Sequence, residues 1–409
     1  MTSSVSSSPS SFSSTPSPEL IKTRVPTKSY RIEIGLVVLF LCLTIPSLFF
    51  LTLIYRRQMN SISTTASPPS LPLPTDFSFL QSSISKHFFR KSLINYPQAR
   101  CMDNTIASYY VRRANNNHAR WLIYFDGGWF CYSKESCHFR QLYSPNLMNS
   151  NNFNEKKSLI GIFSSLKQYN IIYAPYCSSD LWSGSSNKTH SHGHDIFHAI
   201  FDDLNSNKDF QQAKQIIFTG YSAGGLGLLL NLPDLLPKFS PHIDLRIIID
   251  SAWFIDYPGN INGISKINEG ILYWNTQFPS ACQLKPQYKC FFGSEAIRFL
   301  PSHVSIFVIQ SLFDQTQLHL DQLNYNSDDF PTKLMDNLRQ SSKRISIFAP
   351  ACSLHGFLFR SLWSQFDIEQ RTLASVLNVW LKRKKRTHLQ LIDHRFDSSF
   401  CPQREDDEI

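Results

Sequence analysis

The stretch QIIFTGYSAGG, residues 215–225, places a serine on a glycine-flanked turn directly after a short apolar run. Ser222 stands in a G-x-S-x-G pattern between Gly220 and Gly224, and an apolar helix candidate follows. This strand–turn–helix context is typical of a serine nucleophile on a tight turn, where a side chain at either glycine would clash with neighbouring backbone. The positive end of the following helix favours developing negative charge at the site. The stretch therefore predicts a nucleophile at Ser222.

Short apolar runs alternate with longer mixed segments on both sides of this turn, which indicates an α/β fold. Six runs predict strands: Trp121–Phe125, Ile171–Ala174, Gln215–Thr219, Arg246–Asp250, Ser305–Gln310 and Arg344–Phe348. Five segments between them predict helices: Lys156–Leu166, Phe197–Leu204, Gly224–Leu230, Ile264–Asn275 and Phe330–Ser341. Strands without polar–apolar alternation, interleaved with helices, favour a mostly parallel sheet covered on both faces. We expect one catalytic domain at residues 84–381.

The composition excludes several classes of protein. The 409 residues are 42% hydrophobic and 13% aromatic, which excludes global disorder because such a chain can bury a sizeable core. Only 15 Gly and 22 Pro exclude a collagen-like or Gly-rich fibre. Forty Lys and Arg against 31 Asp and Glu give a net charge of +9, which permits a polyanionic partner but does not require one.

A Gly-rich loop follows the strand predicted at Trp121–Phe125. The pair Gly127-Gly128 would let the backbone turn its N–H groups towards a substrate carbonyl. A tetrahedral oxyanion needs such preorganised donors, and one more should come from Ala223, the residue after the nucleophile. An ordinary glycine turn is the alternative interpretation of this loop.

A serine nucleophile also needs a base and an orienting acid, which follow it along the chain in α/β-hydrolases. Asp314 and His355 each follow a predicted strand by a short loop. Both should therefore lie at strand carboxyl ends, where loops converge. Asp250 also ends a strand and is the rival candidate for the acid.

The sequence does not favour a metal or cofactor site. His190, His192 and His194 could in principle bind a metal, but they lack an obvious carboxylate partner, and we expect a solvated loop there. The chain has no paired C-x-x-C motifs, which argues against a structural zinc. We predict no metal and no cofactor.

The N-terminal part is typical of a membrane anchor. Residues 1–33 are Ser-rich and read as a disordered cytosolic tail, and residues 34–55 carry no charge over a length that can span a bilayer. More basic residues precede the apolar span than follow it, which predicts a single-pass type II protein with a luminal or extracellular catalytic domain. A cleaved signal peptide and a secreted protein are the alternative. Residues 56–83 read as a stalk.

Cysteines and a glycosylation sequon fit a secretory compartment. Eight cysteines outside the span predict disulfides whose pairing stays open, although the Cys131–Cys137 loop is the easiest local bridge. Asn187 begins the sequon Asn-Lys-Thr. Residues 382–409 read as a basic run followed by a disordered tail. The basic run is either a solvated helix end or a polyanion site, and a nucleic-acid partner is not expected.

Three further loops carry pairs of large aromatic residues. The pairs are Trp129 and Phe130, Trp253 and Phe254, and Phe291 and Phe292. Each residue is either an ordinary core residue or part of an acyl pocket beside the nucleophile.

Eight segments, in this order, resemble motifs of the pectin acetylesterase/Notum family, and more closely those of its Notum branch. They are WLIYFDGGWFCYSKESC (121–137), IIYAPYCSSDLWSGSSN (171–187), GYSAGGLGLLLN (220–231), DSAWFID (250–256), YWNTQFPSAC (273–282), KCFFGSEA (289–296), SLFDQTQL (311–318) and FAPACSLH (348–355). The resemblance implies an α/β-hydrolase-like fold. It also implies a triad of Ser222, Asp314 and His355, oxyanion donors at Gly128, Trp129 and Ala223, and an acyl pocket of Trp129, Phe130, Phe254, Phe291 and Phe292.

The resemblance further implies an activity and partners. Members of this branch remove an O-linked palmitoleoyl group from a serine of Wnt proteins, which silences Wnt signalling. Some are held at the cell surface by glypican heparan sulfate, which suggests a partner for Lys382, Arg383, Lys384, Lys385 and Arg386. The alternatives are a polysaccharide O-acetylesterase, a lipid-binding decoy without turnover, and a membrane-anchored interaction protein.

Overall fold

A ten-stranded sheet runs through the fold. The computed structural model describes residues 87–115, 119–257, 261–320, 329–383, 388–395 and 401. The strands of this part are β1 His87–Ser92, β2 Ser108–Arg112, β3 Arg120–Phe125, β4 Lys156–Ser158, β5 Asn170–Ala174, β6 Gln215–Tyr221, β7 Asp244–Asp250, β8 Ser305–Ile309, β9 Ile345–Ala349, β10 Asp367–Ile368, β11 Arg371–Thr372 and β12 Gln390–Ile392. The main sheet has the order β12-β9-β8-β7-β6-β3-β5-β2-β1-β4, and β10 and β11 form a separate two-stranded sheet.

The centre of this sheet is parallel, from β12 across to β5, and its other end is antiparallel. All six predicted strands are present, so the predicted α/β fold with a mostly parallel sheet is confirmed. The central strands lack alternation because both faces are covered: β5 and β9 are buried along their whole length. Along β3, Ile123 and Phe125 enter one apolar layer and Leu122 and Tyr124 the other.

Helices fill the connections between the strands. Within the described residues they are α1 Lys134–Tyr143, α2 Ile162–Ser165, α3 Gly193–Asn205, α4 Lys208–Gln211, α5 Ala223–Leu235, α6 Ile261–Trp274, α7 Gly293–Ala296, α8 Gln315–Leu320, α9 Phe330–Gln340 and α10 Leu373–Lys382. Short 3₁₀ turns lie at Pro145–Leu147, Leu236–Lys238, Gln287–Phe291 and Ile297–Phe299. Four of the five predicted helices are present.

The helix predicted at Lys156–Leu166 is wrong. Its first residues form β4, an exposed edge strand that pairs with β1, and only Ile162–Ser165 is helical. Gly161 separates the two parts at φ +69°, and a Cβ there would lie 2.2 Å from the carbonyl oxygen of Leu358. Pairing at the sheet edge and this tight approach override the local helical pattern.

The folded region continues beyond Leu381, where the sequence placed the end of the catalytic domain. Residues 390–392 form β12 on the edge of the sheet, and Cys401 is joined to Cys352 by a disulfide. The interpretation of residues 382–409 as a basic run and disordered tail is therefore wrong at these positions. A three-residue strand carries too little pattern to be recognised in a sequence.

Four disulfides join the eight cysteines of the described residues: Cys101–Cys177, Cys131–Cys137, Cys282–Cys290 and Cys352–Cys401. The predicted local bridge Cys131–Cys137 is among them.

The expected tail, membrane anchor and stalk at 1–33, 34–55 and 56–83 lie outside the described residues. Of the helices that the structure does describe, none has the length and apolar character needed to cross a bilayer.

Candidate active site

Ser222 lies on the turn between β6 and α5 with a positive φ, at φ +49° and ψ −119°. This conformation is unfavourable for a residue with a side chain and persists only where neighbouring structure enforces it. A Cβ on Gly220 would lie 2.5 Å from the carbonyl oxygen of Gly224, and one on Gly224 would lie 2.1 Å from that of Phe125. The N–H group of Ser222 donates to the carbonyl oxygen of Asp250 at 2.9 Å. The turn is therefore held between two strands.

Ser222, His355 and Asp314 form a continuous chain of hydrogen bonds. Nε2 of His355 lies 2.8 Å from Oγ of Ser222, and Nδ1 lies 2.9 Å from both carboxylate oxygens of Asp314. Asp314 follows β8 and His355 follows β9, so the parallel sheet brings both loops to the serine. When Nδ1 carries the proton and donates to Asp314, Nε2 can accept the proton of the Ser222 hydroxyl.

The carboxylate of Asp314 is fully buried and held by further donors. Nε2 of Gln310 donates to it at 2.9 Å, and the N–H groups of Thr316 and Gln317 donate at 3.0 and 3.2 Å because Asp314 precedes the first turn of α8. These bonds fix the carboxylate in the orientation that meets His355.

Asp250, the rival acid, binds the backbone next to His355 instead of its ring. Its carboxylate accepts hydrogen bonds from the N–H groups of Phe357, at 3.0 and 3.2 Å, and of Leu358, at 2.8 Å. The hydroxyl of the neighbouring Ser251 donates to it at 3.1 Å. Burial raises the pKa of Asp250 above its usual range, while these donors oppose the rise. Asp250 therefore holds the loop that carries the histidine.

The Gly-rich loop after β3 packs directly on the serine turn. A Cβ on Gly127 would lie 2.8 Å from Cβ of Ser222. Gly128 has φ +147° and Trp129 has φ +68°, so the backbone turns sharply here. Ala223 begins α5, and its N–H group therefore has no partner within the helix. Trp129 and Ala223 border the same cavity as Ser222.

Asp126, at the start of this loop, is half-buried and held by hydrogen bonds. Its carboxylate accepts hydrogen bonds from the Tyr173 hydroxyl at 2.5 Å and from the N–H group of Gly127 at 3.0 Å. Burial raises the pKa of Asp126, and the two donors partly offset this. The indole of Trp182 donates to the backbone oxygen of Asp126 at 3.0 Å. The start of the loop is thus fixed from two sides.

An apolar cavity opens beside Ser222. The space beside it, which includes open solvent at the mouth, is about 600 Å³. It is lined by all five predicted acyl-pocket residues, which are Trp129, Phe130, Phe254, Phe291 and Phe292. Trp253 is not part of the lining, because it is fully buried with its Nε1 donating to the Asn337 side chain at 2.8 Å.

Sequence reasoning missed other residues of this cavity. They are Leu181, Leu226, Ile255, Gly263, Ile267 and Gln317. Leu226 lies four residues after Ser222 on α5, and Gln317 lies three residues after Asp314 on α8. Helical spacing from the two candidate catalytic residues could have identified both. Ile255 directly follows the predicted pocket residue Phe254, and the other three come from segments with no such reference point.

The predicted histidine cluster is buried only in part. Nδ1 of His192 lies 2.8 Å from a carboxylate oxygen of Asp195, and the rings of His194 and His198 lie 4.3 Å apart. His192 is only 5% exposed, so the expected solvated loop is wrong at this residue, whereas His190 is exposed. Burial lowers the pKa of His198 to about 4. In the part of the chain that the structure describes, no group of three or more His, Cys, Asp or Glu is arranged to hold a metal ion.

The two remaining sequence candidates lie on the surface or at the edge of the described residues. Asn187 is exposed in the loop between the paired residues Ser186 and Ser191. Lys382 ends α10 and Arg383 follows it, while residues 384–386 of the basic run lie outside the described residues.

Residues 84–333 of the chain match a family model described as pectinacetylesterase. The chain is also similar to palmitoleoyl-protein carboxylesterase NOTUM of Schmidtea mediterranea, with 31% identity over 75% of this chain and 65% of the relative. Similar proteins include palmitoleoyl-protein carboxylesterase notum2 of Xenopus laevis, at 30% identity over 73% of this chain and 68% of the relative, and NOTUM of Homo sapiens, at 30% over 70% and 65%. The planarian and human alignments thus span slightly less than two thirds of those relatives.

Proposed function

Because the chain belongs to the pectinacetylesterase family, we propose that it is a serine carboxylesterase that removes an O-linked palmitoleoyl group from a serine of a Wnt-type protein. Such removal would lower Wnt signalling. The observation that carries the proposal is the hydrogen-bonded chain of Ser222, His355 and Asp314, which ends beside an apolar cavity. A nucleophile, a base and an orienting acid are the parts that acyl transfer requires.

The geometry supports a two-step reaction. Oγ of Ser222 attacks the ester carbonyl while Nε2 of His355 takes its proton, and Asp314 stabilises the resulting imidazolium. N–H groups of the Gly128–Trp129 loop and of Ala223 stabilise the oxyanion. His355 then donates its proton to the departing serine hydroxyl of the substrate, which leaves the acyl group on Ser222. Water then attacks the acyl-enzyme while His355 takes its proton, and His355 returns this proton to Oγ of Ser222 as the fatty acid leaves.

The cavity supports a long acyl chain as the preferred group. Five aromatic side chains line it, and each buried CH₂ contributes about 0.8 kcal/mol before the cost of ordering the chain. An acetyl group would contact only a small part of this lining. A cis double bond bends an acyl chain, so the bent chain fits a cavity that would strain a straight chain of the same length. The relatives carrying the words palmitoleoyl-protein carboxylesterase in their names support the same choice.

A panel of O-acylated serine peptides tests the proposal. Peptides with acetyl, butyryl, octanoyl, palmitoyl and palmitoleoyl groups are compared as kcat/KM, with Ser222→Ala as the inactive control. We expect a steep rise from two to eight carbons, and palmitoleoyl above palmitoyl. Equal rates on acetyl and octanoyl peptides, or a preference for acetylated pectin or xylan, would leave an esterase without the lipid specificity. Binding without turnover by the wild-type protein would support a decoy.

We propose in addition that the catalytic domain is luminal or extracellular, behind the N-terminal anchor. Four disulfides in the described residues support an oxidising compartment.

For the basic run that starts at Lys382 we propose heparan sulfate, as on a glypican, as the partner, because clustered cations bind sulfated chains.

A further inference from the structure

Arg140 is a buried cation next to the Gly-rich loop, and the function proposed above gives it no role. It lies in α1 and is 9% exposed. Its Nε atom donates to the hydroxyl oxygen of Ser179 at 2.6 Å, and its Nη2 atom donates to the carbonyl oxygen of Gly128. Among the described residues no carboxylate forms an ion pair with it. Burial lowers the pKa of Arg140, because removing a charged guanidinium from water is unfavourable. The buried charge is bound by two neutral oxygen atoms.

The carbonyl that Arg140 binds belongs to the peptide unit whose nitrogen is that of Trp129. This peptide is trans, and in a planar trans peptide the C=O and N–H groups point in opposite directions. A guanidinium on the carbonyl side therefore sets the direction of the Trp129 N–H group, which leaves the peptide on the opposite side. Trp129 borders the cavity beside Ser222.

This peptide needs an external restraint. Gly128 has φ +147° and Trp129 has φ +68°, both in the region that side-chain-bearing residues avoid. A bond from a cation to the carbonyl stabilises this orientation against rotation of the peptide plane. It also polarises the peptide and makes its N–H a stronger donor.

The helix that carries Arg140 is itself tied to the loop. The disulfide Cys131–Cys137 joins the loop to the first half of α1, and the backbone N–H of Cys131 donates to the carbonyl oxygen of Ser179 at 3.0 Å. The hydroxyl of Ser179 donates to the carbonyl oxygen of Leu147 at 2.7 Å while it accepts from Arg140. The guanidinium is thus held by Ser179 as well as by the Gly128 carbonyl, and it is not part of the cavity lining.

We propose that Arg140 is a positioning residue that holds the N–H group of Trp129 towards the oxyanion formed on attack by Ser222, an inference that rests on the esterase function proposed above. Its contribution should appear in the transition state and not in binding of the acyl chain, because it touches neither the cavity lining nor the reacting atoms.

Arg140→Met removes the guanidinium and keeps much of the apolar stem. We expect kcat on an octanoyl-serine peptide to fall on the order of 10²–10³-fold, the usual loss for one oxyanion donor, with KM changed by less than about threefold. Affinity for an octyl boronic acid, which becomes tetrahedral on Ser222, should fall in parallel. Affinity for the product octanoate should stay within about threefold, because it binds through the cavity lining.

Arg112→Met is the matched control. Arg112 is also a buried arginine in the fold, and it donates to backbone carbonyls of Phe163 and Leu166 away from the cavity. The Arg112→Met variant should have a lower thermal stability than the wild type but the same ratio of boronate to octanoate affinity. If Arg140→Met does not fold, Arg140→Lys and rescue of Arg140→Ala by added guanidinium give the same information. Arg140→Lys should keep little of the wild-type kcat. Added guanidinium should restore a measurable part of the kcat that Arg140→Ala loses.

The outcomes separate the two proposals. An active wild-type protein with an unchanged ratio of boronate to octanoate affinity in Arg140→Met overturns the role of Arg140 and leaves the esterase intact. Parallel losses of boronate and octanoate affinity also overturn it, because they indicate a general structural role. A wild-type protein that hydrolyses no ester overturns both proposals.

Discussion

Both carboxylate oxygens of Asp314 lie 2.9 Å from Nδ1 of His355. This contact selects the tautomer whose Nε2 can accept the Ser222 proton, so Asp314→Asn should lower kcat on the order of 10⁴-fold with little change in KM. In the proposed mechanism the three residues act on one proton-transfer path. Adding Asp314→Asn to Ser222→Ala should therefore cost almost nothing further. Steady-state kinetics of the single and double variants on an octanoyl ester check this, and additive losses would contradict a shared path.

Asp250→Asn should act differently, because this side chain holds the backbone after His355. An asparagine keeps one acceptor oxygen and turns an N–H donor towards the N–H groups of Phe357 or Leu358. We expect the free energy of unfolding to fall by about 1–3 kcal/mol, and kcat to fall much less than in Asp314→Asn. Urea unfolding and kinetics measure the two effects.

The exposed Asp256 provides the control for this variant. Asp256→Asn should change the free energy of unfolding by less than about 0.5 kcal/mol. A loss of activity in Asp250→Asn together with a harmless Asp314→Asn would show that the acid has been assigned to the wrong residue.

The parallel centre of the sheet and the candidate triad could be predicted because each leaves a strong local pattern. Buried strands such as β6 read as continuous apolar runs. Parallel strands also carry their loops to one edge of the sheet, which predicts that Asp314 and His355 lie close to Ser222. The strand β4 gave no such signal, since its three residues are exposed and polar.

Arg140 and Asp250 show what a sequence leaves out. A charged residue in a polar helix reads as solvated, and only tertiary packing buries Arg140 against the Gly128 carbonyl. Asp250 ends β7 and Asp314 follows β8 by a short loop, so the pattern alone could not choose between them. Asp314 reaches the ring of His355, whereas Asp250 reaches the backbone N–H of Leu358. The direction of the backbone at each aspartate decides which of the two it contacts.

Phe291→Ala and Phe292→Ala should reduce turnover of long acyl chains. Both side chains line the cavity, and truncation removes apolar contact that a long chain makes and an acetyl group does not. A loss of 1–3 kcal/mol in transition-state binding would lower kcat/KM for octanoyl esters by about 5- to 150-fold relative to acetyl esters. The ratio of the two substrates is the measurement, because it does not depend on the fraction of folded enzyme.

Phe278→Ala is the control for these two variants. Its ring packs 5.7 Å from that of Phe291 but does not line the cavity. It should reduce stability and leave the ratio of octanoyl to acetyl rates within about twofold. An equal change of this ratio in all three variants would argue against a specific acyl pocket.

Asn187 should be glycosylated in cells, since its side chain is exposed and the proposed topology puts it in the lumen. Endoglycosidase treatment should increase the electrophoretic mobility of the intact wild-type protein, and Asn187→Gln should migrate like the treated protein. An unchanged mobility of the wild type would remove the main support for the luminal assignment. Release of the chain into the medium, after cleavage near residue 56, would favour the secreted alternative.

His198 should make the fold less stable in acid. Burial holds its pKa at about 4, against an ordinary value of 6.5, and the nearby His194 and Lys238 oppose its protonation further, while Asp195 and Asp234 favour it. Between these two pKa values the unfolded chain binds more protons than the folded one. The stabilisation is therefore present above pH 6.5 and is lost as the pH falls towards 4.

From pH 7 to pH 5 this residue should lower the free energy of unfolding by at most about 2 kcal/mol. His198→Phe cannot titrate and keeps an aromatic ring beside His194 and Phe197. Urea unfolding of both proteins at the two pH values gives the difference between wild type and variant. Burial raises the pKa of Asp180 to about 7, so this residue stabilises the fold as the pH falls from 7 to 5. Asp180 is present in both proteins, and its effect therefore cancels in the difference between them. We expect the wild type to lose about 2 kcal/mol more than His198→Phe. Equal losses in the two proteins would show that His198 is protonated equally in the folded and unfolded chains.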